Sequence, residues 1–365
     1  MSRLKLAFLG VGDVAQRDYL PELHRLGDRV ELVAVCGRTE ARARAVAEEY
    51  GVAAWYADYM QMLDETDAEA VVNLTPMQLH AETNLAALSA GKHVYTEKPL
   101  ATSLDGAQRV RDEARTRRLT LVCAPCVMLF PQVRFAFELV ERGEIGEVYS
   151  ARGHGHGGVP PWRGYTSDPS QFFALGGGPA RDMGVYPLHA LTGILGPVRR
   201  VSAMASRVSD SFVVPDGPAV GKRVEVEEPD NWNLLLDLGE GRLASVAANN
   251  VVVDSRAPQL ELYGMEGTIA VNLLDVSAPI EVLRPGRGWE SLHVPHARSA
   301  GPDHLLGIEH LADCIESGIE QVLSAEHALH VVEVLDAAER SVAEDRTVQV
   351  ESMYQGPVRT QGRGG

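Results

Sequence analysis

The stretch that decides the fold is Leu4-Lys-Leu-Ala-Phe-Leu-Gly10-Val-Gly12-Asp-Val-Ala15. Its first six residues form a short apolar run that ends at a glycine, which predicts a buried parallel strand. A GxGxxA element follows, where a helix is predicted to begin. The first glycine permits a tight turn, and the second lets the backbone approach a diphosphate at a helix N-terminus. We therefore predict a dinucleotide site made by Gly10, Gly12, Asp13, Val14 and Ala15.

Strands and helices alternate through the first third of the chain. Strands are predicted at 4–9, 30–35, 70–74, 93–96 and 120–123, and helices at 14–26, 39–50, 79–90 and 103–118. This alternation is typical of a doubly wound parallel sheet. We predict an α/β protein whose residues 1–124 form a Rossmann dinucleotide-binding domain.

The pattern changes near Pro125, where the chain becomes richer in Gly, Pro and Val. Strands are predicted near 147–154, 198–208, 231–238, 242–253, 259–264 and 268–273, and helices at 135–142, 182–195, 303–317 and 324–343. Residues 125–350 are therefore expected to form an α+β domain with a large open, mostly antiparallel sheet. Its terminal helices are expected to pack back on the first domain, and residues 351–365 to form a disordered tail.

Composition excludes several classes of partner. The 365 residues carry a formal net charge of −16, which argues against binding to nucleic acid or an anionic membrane. No apolar run has the length of a membrane span, and the N-terminal run is too short for a signal peptide, so we predict a cytoplasmic protein. Cys123 and Cys126 form a CxxC without a second ligand pair, and His154 and His156 alone make a poor metal site, so no metal is predicted.

The end of the second predicted strand bears on the choice of cofactor. Enzymes that use NAD usually place an acidic residue there to hold the ribose 2′-hydroxyl. This chain instead has Val35-Cys-Gly37-Arg38-Thr39. Arg38 is suited to a 2′-phosphate, with Thr39 donating a hydrogen bond. We favour NADP(H); NAD(H) is the alternative if Arg38 stacks on the adenine.

Two polar motifs follow the next strands. Thr75-Pro76-Met-Gln-Leu-His80 comes after the strand at 70–74, and Glu97-Lys98-Pro99 after the strand at 93–96. Ligands of open parallel sheets bind at the carboxyl ends of the strands, so both motifs are expected at the cofactor crevice. A lysine there can polarise a carbonyl or stabilise an alkoxide during hydride transfer.

These motifs, together with Ala90-Gly-Lys-His-Val94 and Gly176-Gly-Gly-Pro-Ala-Arg-Asp182-Met-Gly-Val-Tyr186, resemble the glucose–fructose oxidoreductase and inositol dehydrogenase (Gfo/Idh/MocA) family. The resemblance runs from residue 4 to about 350. It implies a Rossmann domain followed by a domain whose open sheet commonly forms the subunit interface, giving a homodimer or homotetramer. It also implies that Lys98 lies near the reactive carbon and that Asp182 pairs with Tyr186 as acid/base.

Two residues, Tyr186 and His189, are candidates for the proton carrier. Positions 182, 186 and 189 are predicted to share one helix face, so His189 competes with Tyr186. A tyrosine has an unperturbed pKa of about 10, and we expect Lys98 to lower it. His189 would need no such help. We favour Tyr186.

Other positions bear on the substrate. Cys126 and Met128 stand where the family often has an Arg, and Met77 where it often has Asn, which predicts a less polar pocket. Trp162 and Arg163 lie in a Pro/Gly-rich loop, where the Trp ring could stack on a sugar or anchor the loop. His154 and His156 could bind hydroxyl groups if their strand opens into the cleft.

We therefore predict an NAD(P)-dependent oxidoreductase that moves a hydride to or from a secondary alcohol or ketone of a sugar, cyclitol or glycoside. One alternative is a non-catalytic NADP-sensing regulator on the same fold. Another is an NAD-dependent glycosidase that cleaves its substrate through a transient ketone.

Overall fold

The first domain is built on a six-stranded parallel sheet in the order β3-β2-β1-β4-β5-β6. The structure is a computed structural model, which describes residues 3–294 and 301–358. The strands are β1 (Leu4–Leu9), β2 (Val30–Cys36), β3 (Ala54–Tyr56), β4 (Ala70–Asn73), β5 (His93–Thr96) and β6 (Leu121–Cys123). The predicted doubly wound parallel sheet is confirmed, although short β3 carries too little apolar pattern to be recognised in the sequence.

Four α-helices connect these strands: α1 (Glu40–Tyr50), α2 (Tyr59–Glu65), α3 (His80–Ser89) and α4 (Leu104–Arg117). The regular helix predicted at 14–26 is wrong, because a π-helical turn at Ala15–Tyr19 runs into a 3-10 segment at Leu20–Leu26. Pro21 lies in the second segment and has no N–H to donate to an α-helical ladder.

The second domain is built on a nine-stranded sheet in the order β16-β15-β14-β13-β7-β12-β11-β8-β17. Only the β7–β12 pair is parallel within it. Its strands, with the separate hairpin β9–β10, are β7 (Val148–His156), β8 (Arg200–Ser206), β9 (Ser211–Val213), β10 (Arg223–Glu225), β11 (Asn231–Gly239), β12 (Arg242–Asn249), β13 (Leu260–Gly264), β14 (Gly267–Val271), β15 (Ile280–Arg284), β16 (Gly288–Leu292) and β17 (Val348–Gln349). The mostly antiparallel sheet is confirmed.

One face of this sheet is covered by helices and the other is exposed. Along β11, Leu234 and Leu236 are buried while Leu235 between them is 64% exposed. The alternation follows from the two-residue period of a strand. The domain's helices are α5 (Pro131–Glu141), α6 (Gly178–Asp182), α7 (Val185–Leu195), α8 (Leu305–Ser317) and α9 (Ala325–Glu344), of which α7 contacts β7 and α9 contacts β8.

The two terminal helices also contact the first domain. Helix α9 packs against α4, where Arg115 Nε lies 3.0 Å from Glu326 Oε1. Helix α8 lies so close to β5 that a Cβ at Gly307 would be 2.3 Å from the ring of Tyr95. These helices therefore join the two sheets.

The segment after β17 departs from the predicted disorder. Residues 351–358 run over α7 and α9, where Tyr354 Oη donates to the Thr192 carbonyl over 2.6 Å and Val358 N donates to the Gly193 carbonyl over 2.8 Å. The Tyr354 ring stacks on His327 with centroids 4.6 Å apart. The prediction is wrong for 351–358, because Tyr354 packs partly buried against the core and Val358 is buried. Residues 359–365 lie outside the described residues.

The packed C-terminal segment makes a stability prediction. Tyr354→Ala removes the ring from its stack on His327 and the hydrogen bond to Thr192, so we expect the free energy of unfolding to fall by about 3 kcal/mol. Chemical denaturation measures it. Met353→Ala is the matched control, because that side chain is 49% exposed. Equal, small effects of the two substitutions would contradict the packing of this segment.

Candidate active site

A cavity of about 1060 Å³ lies between the two domains. The ends of β1, β2, β4 and β5 line it on one side, and residues of the second domain line it on the other. It brings together most of the predicted site residues: Gly10, Gly12, Asp13, Val14, Gly37, Arg38, Thr39, Thr75, Pro76, His80, Glu97, Lys98, Trp162, Asp182 and Tyr186. Ala15 is buried behind the turn and does not reach the cavity.

The glycine turn is shaped by the neighbouring strand. Gly10 has φ +104°, and a Cβ there would lie 2.5 Å from the Leu74 carbonyl oxygen. Only glycine satisfies both the backbone angle and the close approach. A Cβ at Gly37 would lie 2.7 Å from Val11 Cγ2, so β2 also ends in a residue without a side chain. The absence of side chains at both positions brings the backbone of the turn to the edge of the cleft, as binding of a diphosphate requires.

His80 ties two loops of the first domain together. Its Nδ1 lies 2.6 Å from the Pro99 carbonyl oxygen and its Nε2 lies 3.0 Å from the Thr75 carbonyl oxygen. Burial lowers the pKa of His80, and the two carbonyl contacts oppose that shift only in part. A neutral imidazole has a single N–H, so it donates to one of the two carbonyls and only contacts the other. The ring packs between the loops after β4 and β5, which carry Thr75 and Lys98 at the same edge of the sheet.

Lys98 and Asp182 form a buried ion pair across the domain boundary. Lys98 Nζ donates to Asp182 Oδ1 over 2.6 Å and to the Asp182 carbonyl over 2.7 Å. It also lies 5.1 Å from the centroid of the Tyr186 ring. An ammonium has three N–H donors, so one is left for a ligand. The second oxygen of the carboxylate, Asp182 Oδ2, is buried without a hydrogen-bond partner within the described ranges.

The charges in this cluster are strongly coupled. Burial by itself lowers the pKa of Lys98, but the nearby charges of Asp182, Tyr186 and Glu97 outweigh it and the pKa is raised. Burial also raises the pKa of Tyr186, and the Lys98 ammonium only partly opposes that rise. Lys98 lowers the pKa of Tyr186 as expected, but the net pKa is raised because desolvation of the phenolate is the larger effect.

Asp182 and Tyr186 belong to two different helices. Asp182 ends the short α6, and α7 begins at Val185 after the turn at Met183 and Gly184. This turn rests on β7, where a Cβ at Gly155 would lie 2.4 Å from the Met183 carbonyl carbon. The predicted single helix face through 182, 186 and 189 is thus wrong. Asp182 and Tyr186 both line the cleft, whereas His189 does not.

His189 lies outside the cleft. It is buried in α7 and faces α9, with its ring centroid 4.8 Å from that of His327. Burial lowers the pKa of His189 to about 3. The geometry therefore does not support His189 as proton carrier, because α7 turns this side chain toward the protein core.

The predicted substrate residues after β6 and in the loop separate into different environments. Cys126 and Met128 are buried in the core, where Cys126 Sγ lies 3.3 Å from Tyr95 Oη and a Cβ at Gly193 would lie 2.3 Å from Met128 Sδ. Arg163 is exposed and does not line the cavity. Of this group only Trp162 reaches the cleft, with its Nε1 donating to the Gly157 carbonyl over 2.6 Å.

The two residue pairs noted in the sequence, His154 with His156 and Cys123 with Cys126, do not form a metal site within the described residues. His154 and His156 stack with ring centroids 4.3 Å apart, and only His156 lines the cleft. Cys123 and Cys126 are buried free thiols, and burial raises the pKa of Cys126 to about 12. No group of three or more His, Cys, Asp and Glu side chains in residues 3–294 and 301–358 could hold a metal ion. Within those ranges, no helix is both long and apolar enough to cross a membrane.

Several residues that line the cleft carry no motif. Arg17 and Arg42 come from the segments after β1 and β2, Ser167 from the loop after β7, and His304 from the start of α8. No spacing signal joins them, because they reach the site from distant parts of the chain. Sequence reasoning could have found Arg42, because it lies about one helical turn after Thr39 on the helix predicted at 39–50.

Comparison with known proteins places the chain in a family. A family model described as an oxidoreductase family with an NAD-binding Rossmann fold (GFO_IDH_MocA) matches residues 4–124. A second, described as the GFO/IDH/MocA C-terminal domain, matches residues 133–270. The chain belongs to the Gfo/Idh/MocA family. The resemblance seen in the motifs is confirmed. The chain is an NAD(P)-dependent oxidoreductase, and its relatives include proteins named as sugar dehydrogenases.

Individual relatives agree with this assignment. An uncharacterized oxidoreductase of Rhizobium meliloti is 28% identical over 351 residues, 93% of this chain and 97% of that protein. A D-glucoside 3-dehydrogenase of Escherichia coli is 34% identical over 197 residues, 53% of this chain and 55% of that protein. The solved structure of a levoglucosan dehydrogenase with NADH and L-sorbose has a TM-score of 0.85 at 20% identity, covering 97% of this chain and 100% of that chain. At 20% identity, the similarity to the levoglucosan dehydrogenase structure shows a shared fold alone.

The ion pair generates a prediction about turnover. Lys98→Met removes the N–H left for a ligand, so we expect kcat to fall by about 10²–10³-fold while the dinucleotide still binds. Steady-state kinetics and fluorescence titration with reduced dinucleotide measure the two effects. Lys92→Met is the control, because Lys92 Nζ contacts only the Thr66 carbonyl over 3.3 Å in the described contacts. Normal turnover by Lys98→Met would remove Lys98 from the mechanism.

Proposed function

We propose that the chain transfers a hydride between a nicotinamide dinucleotide, with NADP(H) preferred, and a secondary alcohol or ketone of a sugar, cyclitol or glycoside. The observation that carries the proposal is the Lys98, Asp182 and Tyr186 cluster at the cleft that the glycine turn also lines. The nicotinamide supplies or accepts the hydride when it is bound. The side chains described below bind, orient and exchange protons.

Lys98 is the group that stabilises charge on the substrate oxygen. Two of its N–H donors are held by Asp182, which fixes the direction of the third. A donor that is already oriented stabilises a developing alkoxide without a cost of reorganisation. Because the pKa of Lys98 is raised, the ammonium stays protonated throughout the neutral range.

Tyr186 is the proposed proton carrier. Its raised pKa keeps the phenol protonated near neutral pH, which suits it to donate a proton during ketone reduction. In alcohol oxidation only the phenolate form can accept the proton, and the Lys98 ammonium 5.1 Å from the ring centroid stabilises that form. Because burial outweighs this stabilisation, proton acceptance by Tyr186 is the less favourable direction near neutral pH.

Asp182 is proposed to select a polyol. Its Oδ1 holds Lys98, whereas its buried Oδ2 has no partner within the described chain. A buried carboxylate oxygen without a hydrogen bond is costly, and a substrate hydroxyl next to the reacting carbon would satisfy it once the carboxylate turns toward the cleft. A vicinal diol, as in sugars and cyclitols, supplies both oxygens. The relative that is named a D-glucoside 3-dehydrogenase supports this class of substrate.

A substrate panel tests the proposed function. The full chain is incubated with NADP⁺ or NAD⁺ and a series of sugars, cyclitols and glycosides, and absorbance of the reduced nicotinamide is followed. Turnover abolished by Lys98→Met and by Tyr186→Phe supports the proposal. Dinucleotide binding without turnover on any substrate would favour the sensing regulator. Glycoside cleavage without net formation of reduced cofactor would favour the glycosidase.

The preference for NADP(H) rests on Arg38, which lines the cleft just after β2 and is exposed there. We expect Arg38→Ala to weaken NADPH binding by about tenfold or more and to leave NADH binding nearly unchanged, because a charge-assisted bond to the 2′-phosphate is lost. Fluorescence titration measures both. Arg44→Ala is the control, since Arg44 pairs with Glu48 over 2.8 Å. Equal losses for both dinucleotides would favour NAD(H).

The exposed face of the second-domain sheet is proposed to form the subunit interface of a homodimer or homotetramer. Leu235 on β11 is flanked diagonally by Met204 on β8 and Leu243 on β12, and these side chains are 64%, 81% and 59% exposed. Neighbouring apolar residues on one open sheet face are typical of an association surface.

Charge placed on this face should dissociate the oligomer. We expect Leu235→Glu to lower the sedimentation coefficient to that of a monomer, because a symmetric interface brings the new carboxylate onto the same patch of its partner. Met265→Glu is the control, since Met265 is 75% exposed but lies in the turn between β13 and β14. An unchanged sedimentation coefficient for Leu235→Glu would place the interface elsewhere or show a monomer.

A further inference from the structure

A segment of the second domain crosses the cleft to the glycine turn. Residues 162–175, called the strap below, follow β7 and contain a short 3-10 turn at Pro169–Phe172. Lys222 Nζ holds the strap to the second domain, with contacts of 2.6 Å to Asp168 Oδ2 and 2.8 Å to Ser170 Oγ. Within the strap, the rings of Trp162 and Phe172 pack edge to face with centroids 5.1 Å apart.

The strap is hydrogen-bonded to Asp13 in the glycine turn. Asp13 Oδ1 accepts from Thr166 N over 2.8 Å and from Thr166 Oγ1 over 3.0 Å, although 153 residues separate the two. Arg17 Nη1 lies 2.5 Å from the other carboxylate oxygen. The Asp13 side chain is only 3% exposed. Its charge is thus balanced by Arg17 and the strap, and the carboxylate is engaged by protein donors.

Ser167, the next strap residue, sits where three polar groups meet. Its Oγ accepts from Asp13 N over 3.2 Å and from Arg42 Nη2 over 3.4 Å. A hydroxyl has two lone pairs and one O–H donor, so these contacts use its acceptors and leave the O–H to donate. The Asp13 N–H belongs to the turn that is expected to face a diphosphate. The free donor and the Arg42 guanidinium therefore point to an anionic ligand at this place.

The strap also forms part of the cleft wall. Tyr165, Ser167 and Gln171 line the same cavity as Gly10 and Gly12. The strap makes a further hydrogen bond to the first domain, in which Gln78 Nε2 donates to the Gln171 carbonyl over 2.9 Å. A dinucleotide whose diphosphate lies at the glycine turn is then covered by a segment that is bonded at both sides of the cleft.

We propose that the strap is a latch that closes over the diphosphate of the dinucleotide. Ser167 Oγ and Arg42 bind the diphosphate, and Asp13 is the positioning residue that holds the latch shut through Thr166. The dinucleotide leaves only after these hydrogen bonds break, so latch opening sets the rate of cofactor release. The proposal rests on the nicotinamide-dinucleotide site proposed above and is independent of the identity of the carbohydrate.

Release kinetics test the latch. The full chain is loaded with NADPH and mixed in a stopped-flow instrument with excess NADP⁺, and loss of dinucleotide fluorescence gives the dissociation rate. We expect Asp13→Ala to speed release by about tenfold or more and Thr166→Val, which loses one of two donors, by about threefold. Asp13→Asn keeps an oxygen that can accept both bonds from Thr166, so its rate should stay closer to that of the parent.

A matched control separates the latch from general loosening of the loop. Arg163→Ala lies on the same strap but is exposed and outside the cavity, so its release rate should equal that of the parent. Ser167→Ala should raise the Kd for NADPH by about threefold to tenfold, because one hydrogen bond to the ligand is lost. Parent-like release from both Asp13→Ala and Thr166→Val overturns the latch.

The assay also keeps this proposal apart from the proposed function. The assay needs no carbohydrate. If the latch proposal is wrong, the chain binds the dinucleotide normally and the variants release it at the rate of the parent. A chain that binds neither NADPH nor NADH would instead remove the nicotinamide site, and the latch with it. If Asp13→Ala does not fold, Thr166→Val and Ser167→Ala still decide the question, because neither removes a buried charge.

Discussion

The buried ion pair between Lys98 and Asp182 is the interaction on which the site depends. Lys98 belongs to a loop motif of the first domain and Asp182 ends a helix of the second, so the pair exists only when the two domains are docked. Each charge would be costly to bury without the other. The pair therefore couples the closure of the cleft to the assembly of the cluster of Lys98, Asp182 and Tyr186. In the proposed mechanism it also orients the remaining Lys98 donor toward the substrate.

The backbone around this pair explains how the second domain delivers two side chains to one point. The break between α6 and α7 at Met183 and Gly184 sits directly on β7, where Gly155 leaves room for it. The break lies before Tyr186 and His189, which both belong to α7, so it changes the direction of Asp182 relative to them. Within α7, Tyr186 lines the cleft, whereas His189 packs against His327 of α9. The packing of α7 between the cleft and α9 thus decides which of the two side chains reaches the cleft.

Contacts between the domains occur at widely separated positions. The ion pair joins Lys98 after β5 to the end of α6, the bonds from Asp13 to the strap lie at the glycine turn, and α9 packs on α4. The three contacts have different chemistry: a buried charge pair, a small hydrogen-bond network and helix packing. In the proposed latch, the hydrogen-bonded strap is the contact that opens while the core stays packed.

The sequence by itself determined the parallel sheet, the glycine turn and the position of Lys98, because strand–helix periodicity and strand-end motifs are local signals. It also indicated Asp182 and Tyr186 through the family motif. Only the tertiary structure decided that Cys126, Met128 and His189 are core residues, and that Ser167 lies at the glycine turn. The reason is physical: whether a side chain meets the cleft or the core depends on helix breaks and on packing between segments over a hundred residues apart, which no local pattern records.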